Sequence, residues 1–167
     1  RVAYRRQLLG ITAIDVTGED PVAGLPDTAA ALADLAGSAL EAAVHIAVEE
    51  QGEQGDLVRF AVIGMGKAGG RELNYISDVD VIFVAEPVDG ADETAALETA
   101  ARIATRVMHV CSDVTAYGTL WQVDAALRPE GKQGPLVRTV ASHRTYYERW
   151  AKTWEFQALL KARHLAG

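Results

Sequence analysis

Two acidic residues, Asp78 and Asp80, stand one residue apart at the start of the apolar run Val79-Asp-Val-Ile-Phe-Val84, close behind a glycine-rich stretch, Gly64-Met-Gly-Lys-Ala-Gly-Gly70. Side chains on a strand alternate between its faces, so Asp78, Asp80 and Ile82 point toward a cleft while Val79, Val81 and Phe83 enter the core. Two carboxylates this close repel each other unless a cation compensates. Mg²⁺ suits such a site because it prefers hard oxygen ligands and keeps waters for phosphates, although the residues alone do not choose between Mg²⁺ and Mn²⁺. A third acid, Asp124, follows Val123 in a later apolar stretch and repeats the alternation. If the two strands are neighbours, Asp124 completes a three-carboxylate cluster able to stabilise entering and leaving oxygens at phosphorus.

The glycines at 64, 66, 69 and 70 would let the backbone approach a phosphate, and helix-terminal amides favour its charge. Lys67 adds a cation, Ser77 a hydroxyl donor, and Arg128 and Lys132 are further candidates for phosphate contact. No Gly-Lys-Ser/Thr follows at Walker spacing, and the stretch is not a dinucleotide fingerprint in its usual setting. The glycine turn and the paired acids are each weak signals; their order and spacing together are specific.

The elements that must carry these groups read as follows. Residues 1–16 form a basic amphipathic helix with Arg1, Arg5 and Arg6 exposed. Residues 17–26 form a loop, broken by Gly18, Pro21, Gly24 and Pro26. Asp27 caps an Ala-rich helix running to about Glu50, with Leu32, Leu35, Ala39, Ala43 and Ile46 on its apolar face. Residues 51–56 are a polar linker. Strands follow at 58–63, 79–84, 119–127 and, more weakly, 137–140. Helices lie at 67–74 and 94–110. A last helix, capped by Ser142, reaches about Arg163 and is rich in aromatics that serve packing. His45 and Cys111 fall on apolar helix faces.

These elements give an α/β (α+β) chain: a mixed sheet with helical flanks. Residues 1–55 are a helical N-terminal region, 56–140 the α/β core, and 141–167 a C-terminal helix leading toward a further helical domain. Hydrophobic residues make up 49% of the 167, enough for a packed core. The net charge of −7 disfavours a nucleic-acid partner, which needs a basic footprint. A single cysteine, no signal peptide and no long apolar span point to the cytoplasm rather than a membrane.

The pattern Gly-x-Gly-Lys-x-Gly-Gly-x-Glu-Leu-Asn-Tyr-x-Ser-Asp-x-Asp over residues 64–80 resembles the nucleotidyltransferase motif of the polymerase-β-like superfamily, and more closely glutamine synthetase adenylyltransferase. Val123-Asp124-x-x-Leu-Arg-Pro129, Gly134-Pro-Leu-Val137, Tyr146-Tyr147 and the segment from Trp154-Glu155 to Arg163 match that family in order, so the resemblance covers most of residues 56–167. It implies a polymerase-β-like core, with Asp78, Asp80 and Asp124 as metal ligands and catalytic groups. It also implies glutamine synthetase, phosphate and ADP or ATP as partners, and a nitrogen-signal regulatory protein reached through the full-length enzyme. The family carries two copies of the domain: the N-terminal copy removes AMP from a glutamine synthetase tyrosine by phosphorolysis, and the other attaches AMP from ATP. Gly64-Met-Gly-Lys67, Leu73-Asn-Tyr75 and Gly134-Pro-Leu-Val137 resemble the removing copy, whereas Thr153 to Leu159 leans partly toward the attaching one. Attachment, or a non-catalytic nucleotide-sensing module, are the alternatives.

Overall fold

The computed structural model describes residues 1–167. Two helices lead: α1, Val2–Thr17, and α2, Pro21–Glu49. A 3-10 turn over Gly52–Leu57 delivers the chain to β1, Val58–Gly64. Next come the single-turn α3, Gly66–Gly69, then β2, Val79–Pro87, and α4, Glu93–Ser112. The remaining elements are short: β3, Val123–Asp124; β4, Val137–Arg138; α5, Val140–Arg149; α6, Thr153–Leu159; and β5, Arg163–Ala166.

The sheet runs β3-β2-β1-β5, with β4 also against β2. β1 is antiparallel to both β2 and β5, while β3 and β4 pair parallel with β2. It is therefore a mixed sheet with helical flanks, the polymerase-β-like nucleotidyltransferase architecture expected above. In β1 the period of two is clean: Val58, Phe60 and Val62 are buried. They join Val79, Val81 and Phe83 of β2 under α2 and α4 in one core cluster. Burying each Val, Leu or Phe of this set is worth about 1.5–3 kcal/mol.

α2 is long and apolar enough, by length and composition, to cross a membrane, which corrects the expectation of no long apolar span. Its small-residue face instead lies in the core: Ala33, Ala36, Leu40, Ala43 and Ala47 are buried. The expected face holds in part: Leu32 and Ala43 are buried and Leu35 and Ala39 half-buried, but Ile46 is exposed. His45, expected to pack, is also exposed and lies 3.2 Å from Glu41.

α2 begins earlier than read. Asp20, not Asp27, caps it, accepting from the amides of Val22 at 3.1 Å and Ala23 at 3.0 Å. Pro21 occupies the first turn, where the absent N–H costs nothing. The helix continues through Pro26, forfeiting a single intrahelical bond.

Arg1 is not a solvated cation. Its guanidinium donates to the carbonyls of Val110 at 2.6 Å, Asp113 at 2.9 Å and Gly118, tying the start of α1 to the end of α4. The long third strand reduces to two residues, the 67–74 helix to one turn at 66–69, and the fourth strand to 137–138. The last helix is broken. Thr139 caps α5, accepting from the Ser142 amide; the chain leaves the helix at Trp150, restarts at Thr153 and ends as an edge strand on β1. Of its aromatics only Tyr146 is buried; Trp150, Trp154 and Phe156 are exposed.

Candidate functional site

The acids meet where β2 and β3 run side by side. Asp80 is the register partner of Asp124, and Val79 that of Val123. The two valines are buried in the core. Neighbouring strands share their pleat, so the two carboxylates emerge together on the opposite face. The spatial relation expected of Asp80 and Asp124 therefore holds. The acid face is not wholly open, because Ile82 and Met65 are buried on it outside the main core cluster.

Asp78 lies one residue before β2, exposed, rather than within the strand. Its charge still reaches the pair. Burial pushes the Asp80 carboxyl above its usual range; the charges of Asp124 and then Asp78 push it the same way, and Lys67 opposes them. A partly desolvated acid facing two like charges is a site that a cation would relieve. The donor set is all carboxylate oxygen, which fits a hard divalent ion. No group of three or more His, Cys, Asp or Glu side chains is placed to hold a metal ion, so the structure does not assemble Asp78, Asp80 and Asp124 into the three-carboxylate cluster expected above; what it brings together is Asp80 and Asp124.

The other candidates divide. Gly66 faces the acids: its φ is 51°, and a Cβ there would sit 2.7 Å from Asp80 Oδ2. The Met65 amide donates to the Asp80 carbonyl at 2.8 Å, holding this turn against β2. The amides of Lys67 and Ala68 donate to no protein carbonyl. By contrast, the space beside Gly64 is filled by Leu165, and that beside Gly69 by the Lys161 and Gly64 carbonyls. Gly70 abuts the Lys161 side chain. Those three glycines admit protein atoms at close range. Ser77 is half-buried and Lys67 exposed.

Arg128 lies close enough to Asp124 for their charges to interact. Two of its nitrogens, however, are engaged: Nη1 donates to the Ala125 carbonyl at 2.8 Å, and Nε to those of Pro135 at 3.1 Å and Gly134 at 3.2 Å. It closes the loop after β3, and Lys132 is exposed on that loop. Asp124 itself accepts from the Ala126 amide at 2.7 Å, which fixes one of its oxygens.

The charged residues of the C-terminal segment have distinct structural roles. Arg163 donates to the carbonyls of Ala68 at 3.0 Å and Gly69 at 3.1 Å, capping α3. Glu155 is buried, accepting from the Tyr146 hydroxyl at 2.8 Å and the Lys152 amide at 2.7 Å. Lys161 does pair on the surface, with Glu72. Only the Lys-Thr-Trp-Glu spacing carried a local signal, that of an acid three residues after a helix start.

Comparison with known proteins gives a consistent result. The family described as Glutamate-ammonia ligase adenylyltransferase matches residues 1–167. A bifunctional glutamine synthetase adenylyltransferase/adenylyl-removing enzyme of Streptomyces avermitilis is 60% identical over 167 residues, covering 100% of this chain and 16% of the relative. Proteins of the same description from Cutibacterium acnes and Mycolicibacterium smegmatis are 53% and 52% identical, again over 100% of this chain and 17% and 16% of theirs. The chain thus spans about a sixth of the length of these curated relatives.

Proposed function

From the premise that this chain belongs to the glutamate-ammonia ligase adenylyltransferase family, we propose that it is a metal-dependent nucleotidyltransferase domain that removes AMP from an adenylylated tyrosine of glutamine synthetase by phosphorolysis. An oxygen of inorganic phosphate attacks the α-phosphorus of the adenylyl-tyrosine. The phosphorus–oxygen bond to the tyrosine breaks, ADP forms, and the phenolate oxygen takes up a proton. The observation that carries this reading is the register pairing of Asp80 with Asp124 against Gly66.

Asp78, Asp80 and Asp124 would hold Mg²⁺. When bound, the ion offsets the charge that builds on the phosphoryl oxygens. The chain's own residues do the rest by position. Gly66 leaves the space over the Asp80 carboxylate clear. The unengaged Lys67 and Ala68 amides and the Lys67 ammonium supply positive potential next to the acids. Arg128 shapes the floor of the loop beside Asp124.

Glutamine synthetase, phosphate and ADP follow as partners, with a nitrogen-signal regulatory protein acting through the rest of the polypeptide, in the cytoplasm. The direction of transfer rests on the motif resemblance at Gly64–Lys67, Leu73–Tyr75 and Gly134–Val137. The test uses the full-length polypeptide carrying Asp78→Asn. ADP release from adenylylated glutamine synthetase plus phosphate should be lost, while pyrophosphate release from ATP with the unmodified protein persists. Loss of pyrophosphate release with ADP formation intact would assign the domain to attachment instead. Loss of neither, with nucleotide still bound, would favour a sensing module.

A further inference from the structure

The segment that carries Asp78 has almost no support of its own. Residues 73–78 belong to no helix or strand, and none of them makes a backbone–backbone hydrogen bond. Leu73 is buried at one end, and the Val79 amide donates to the Gln122 carbonyl at the other. Between these points the Tyr75 side chain ties the segment to α1: its hydroxyl donates to Asp15 Oδ2 at 2.8 Å, with the Thr12 hydroxyl also beside it. Asp15 lies in α1, and its other oxygen accepts from Thr28 of α2 at 2.9 Å. One carboxylate therefore links both helices of the N-terminal pair to the segment. Just upstream, Arg71, with φ 57°, reaches Asp34 of α2 at 2.5 Å, a second link to the same helical pair.

Asp80 and Asp124 need no such help. They are set by sheet register, and Asp124 also by the Ala126 amide. Asp78 alone depends on a segment fixed from outside the sheet. We propose that Asp15 and Tyr75 are positioning residues for Asp78, so that the α1–α2 pair sets how well the third carboxylate joins the other two around a divalent cation. This rests on the metal reading given above.

The test replaces Mg²⁺ by Fe²⁺ in the full-length polypeptide. Ascorbate and peroxide then cut the backbone beside the bound iron, and the fragments are read by mass spectrometry. In the parent protein, cuts are expected near residues 78–80 and 124. Tyr75→Phe should raise the Fe²⁺ concentration for half-maximal cutting about threefold to tenfold, the scale of one ordinary solvent-exposed hydrogen bond. It should also deplete cuts near 78 more than those near 124, with the melting temperature unchanged. Asp15→Ala should act alike, and the double variant should add little to either. Equal cutting in parent and Tyr75→Phe would overturn the positioning role while leaving the metal reading intact. Equal loss at 78 and 124 with a lowered melting temperature would reduce the contact to general stability and also overturn it. Absence of iron-dependent cuts near either position in the parent would sink the metal reading and this inference together.

Discussion

Gly66→Ala is a substitution whose two effects can be separated. At φ 51° an L side chain is strained, at a cost of about 1–2 kcal/mol. The new Cβ would also stand 2.7 Å from Asp80 Oδ2, far inside contact distance, and the carboxylate would have to swing aside. Because Asp80 is half-buried, the swing is feasible, and the expected global loss stays near the backbone cost of about 1–2 kcal/mol. For a chain of this size that lowers the melting temperature by about 2–8 °C. The displaced carboxylate no longer sits beside Asp124, so phosphorolysis should fall at least tenfold more than stability accounts for at 25 °C. Two other glycines calibrate the result. At Gly69 a Cβ would lie 2.0 Å from the Lys161 carbonyl, a backbone atom, so Gly69→Ala should destabilise more than Gly66→Ala without touching an acid. At Gly10, within α1, nothing lies within 4 Å, and Gly10→Ala should stabilise by about 0.5–1 kcal/mol. Thermal melts with ADP-release assays on the three variants decide the matter. Gly66→Ala with parental melting temperature and parental turnover would refute both the strain and the contact.

Asp80→Asn should leave the metal-free protein slightly more stable above acidic pH, by less than about 1 kcal/mol since solvent screens a half-exposed group. A carboxyl raised above its unfolded value costs stability as pH rises from the unfolded value through the folded one, so the parent should lose this increment on leaving the acid range and the variant should not; melts against pH without metal check it. Glu155→Ala strands the Tyr146 hydroxyl and frees the first turn of α6, and should cost about 1–3 kcal/mol by denaturant titration. Cys111 is buried, which pushes its thiol up to about 12, so alkylation at pH 8 should proceed at the rate of unfolding, and rapid labelling of the native protein would contradict that burial.

The central acids were legible because two local regularities coincide there. Alternation puts Val79 and Val81 inside and Asp80 outside, and Val123-Asp124 repeats the device. Register then made the two acids neighbours. Asp78 reads as part of the same face, yet the strand starts one residue later, a boundary that alternation cannot fix. The last helix read as continuous because its aromatics never break the pattern, although Glu155 returning to the Lys152 amide marks a restart. The Asp15–Tyr75 link had no local signature at all: sixty residues separate the partners, and only tertiary packing brings a helix of the N-terminal region to that segment. The same holds for Arg163 on α3. Its value lies in two carbonyls far upstream, invisible to any window of sequence around it.

The placement of β5 has a consequence for biosynthesis. β1 is the spine of the sheet, but one of its two flanks is satisfied only by residues 163–166, about a hundred positions later. At translation rates of about 5–20 residues per second, the end of β1, Val62-Ile-Gly64, waits roughly 5–20 s with that flank unpaired. During that interval a nascent chain offers an open ladder to any passing strand, and polysome-bound intermediates of this protein should be the species that chaperones engage.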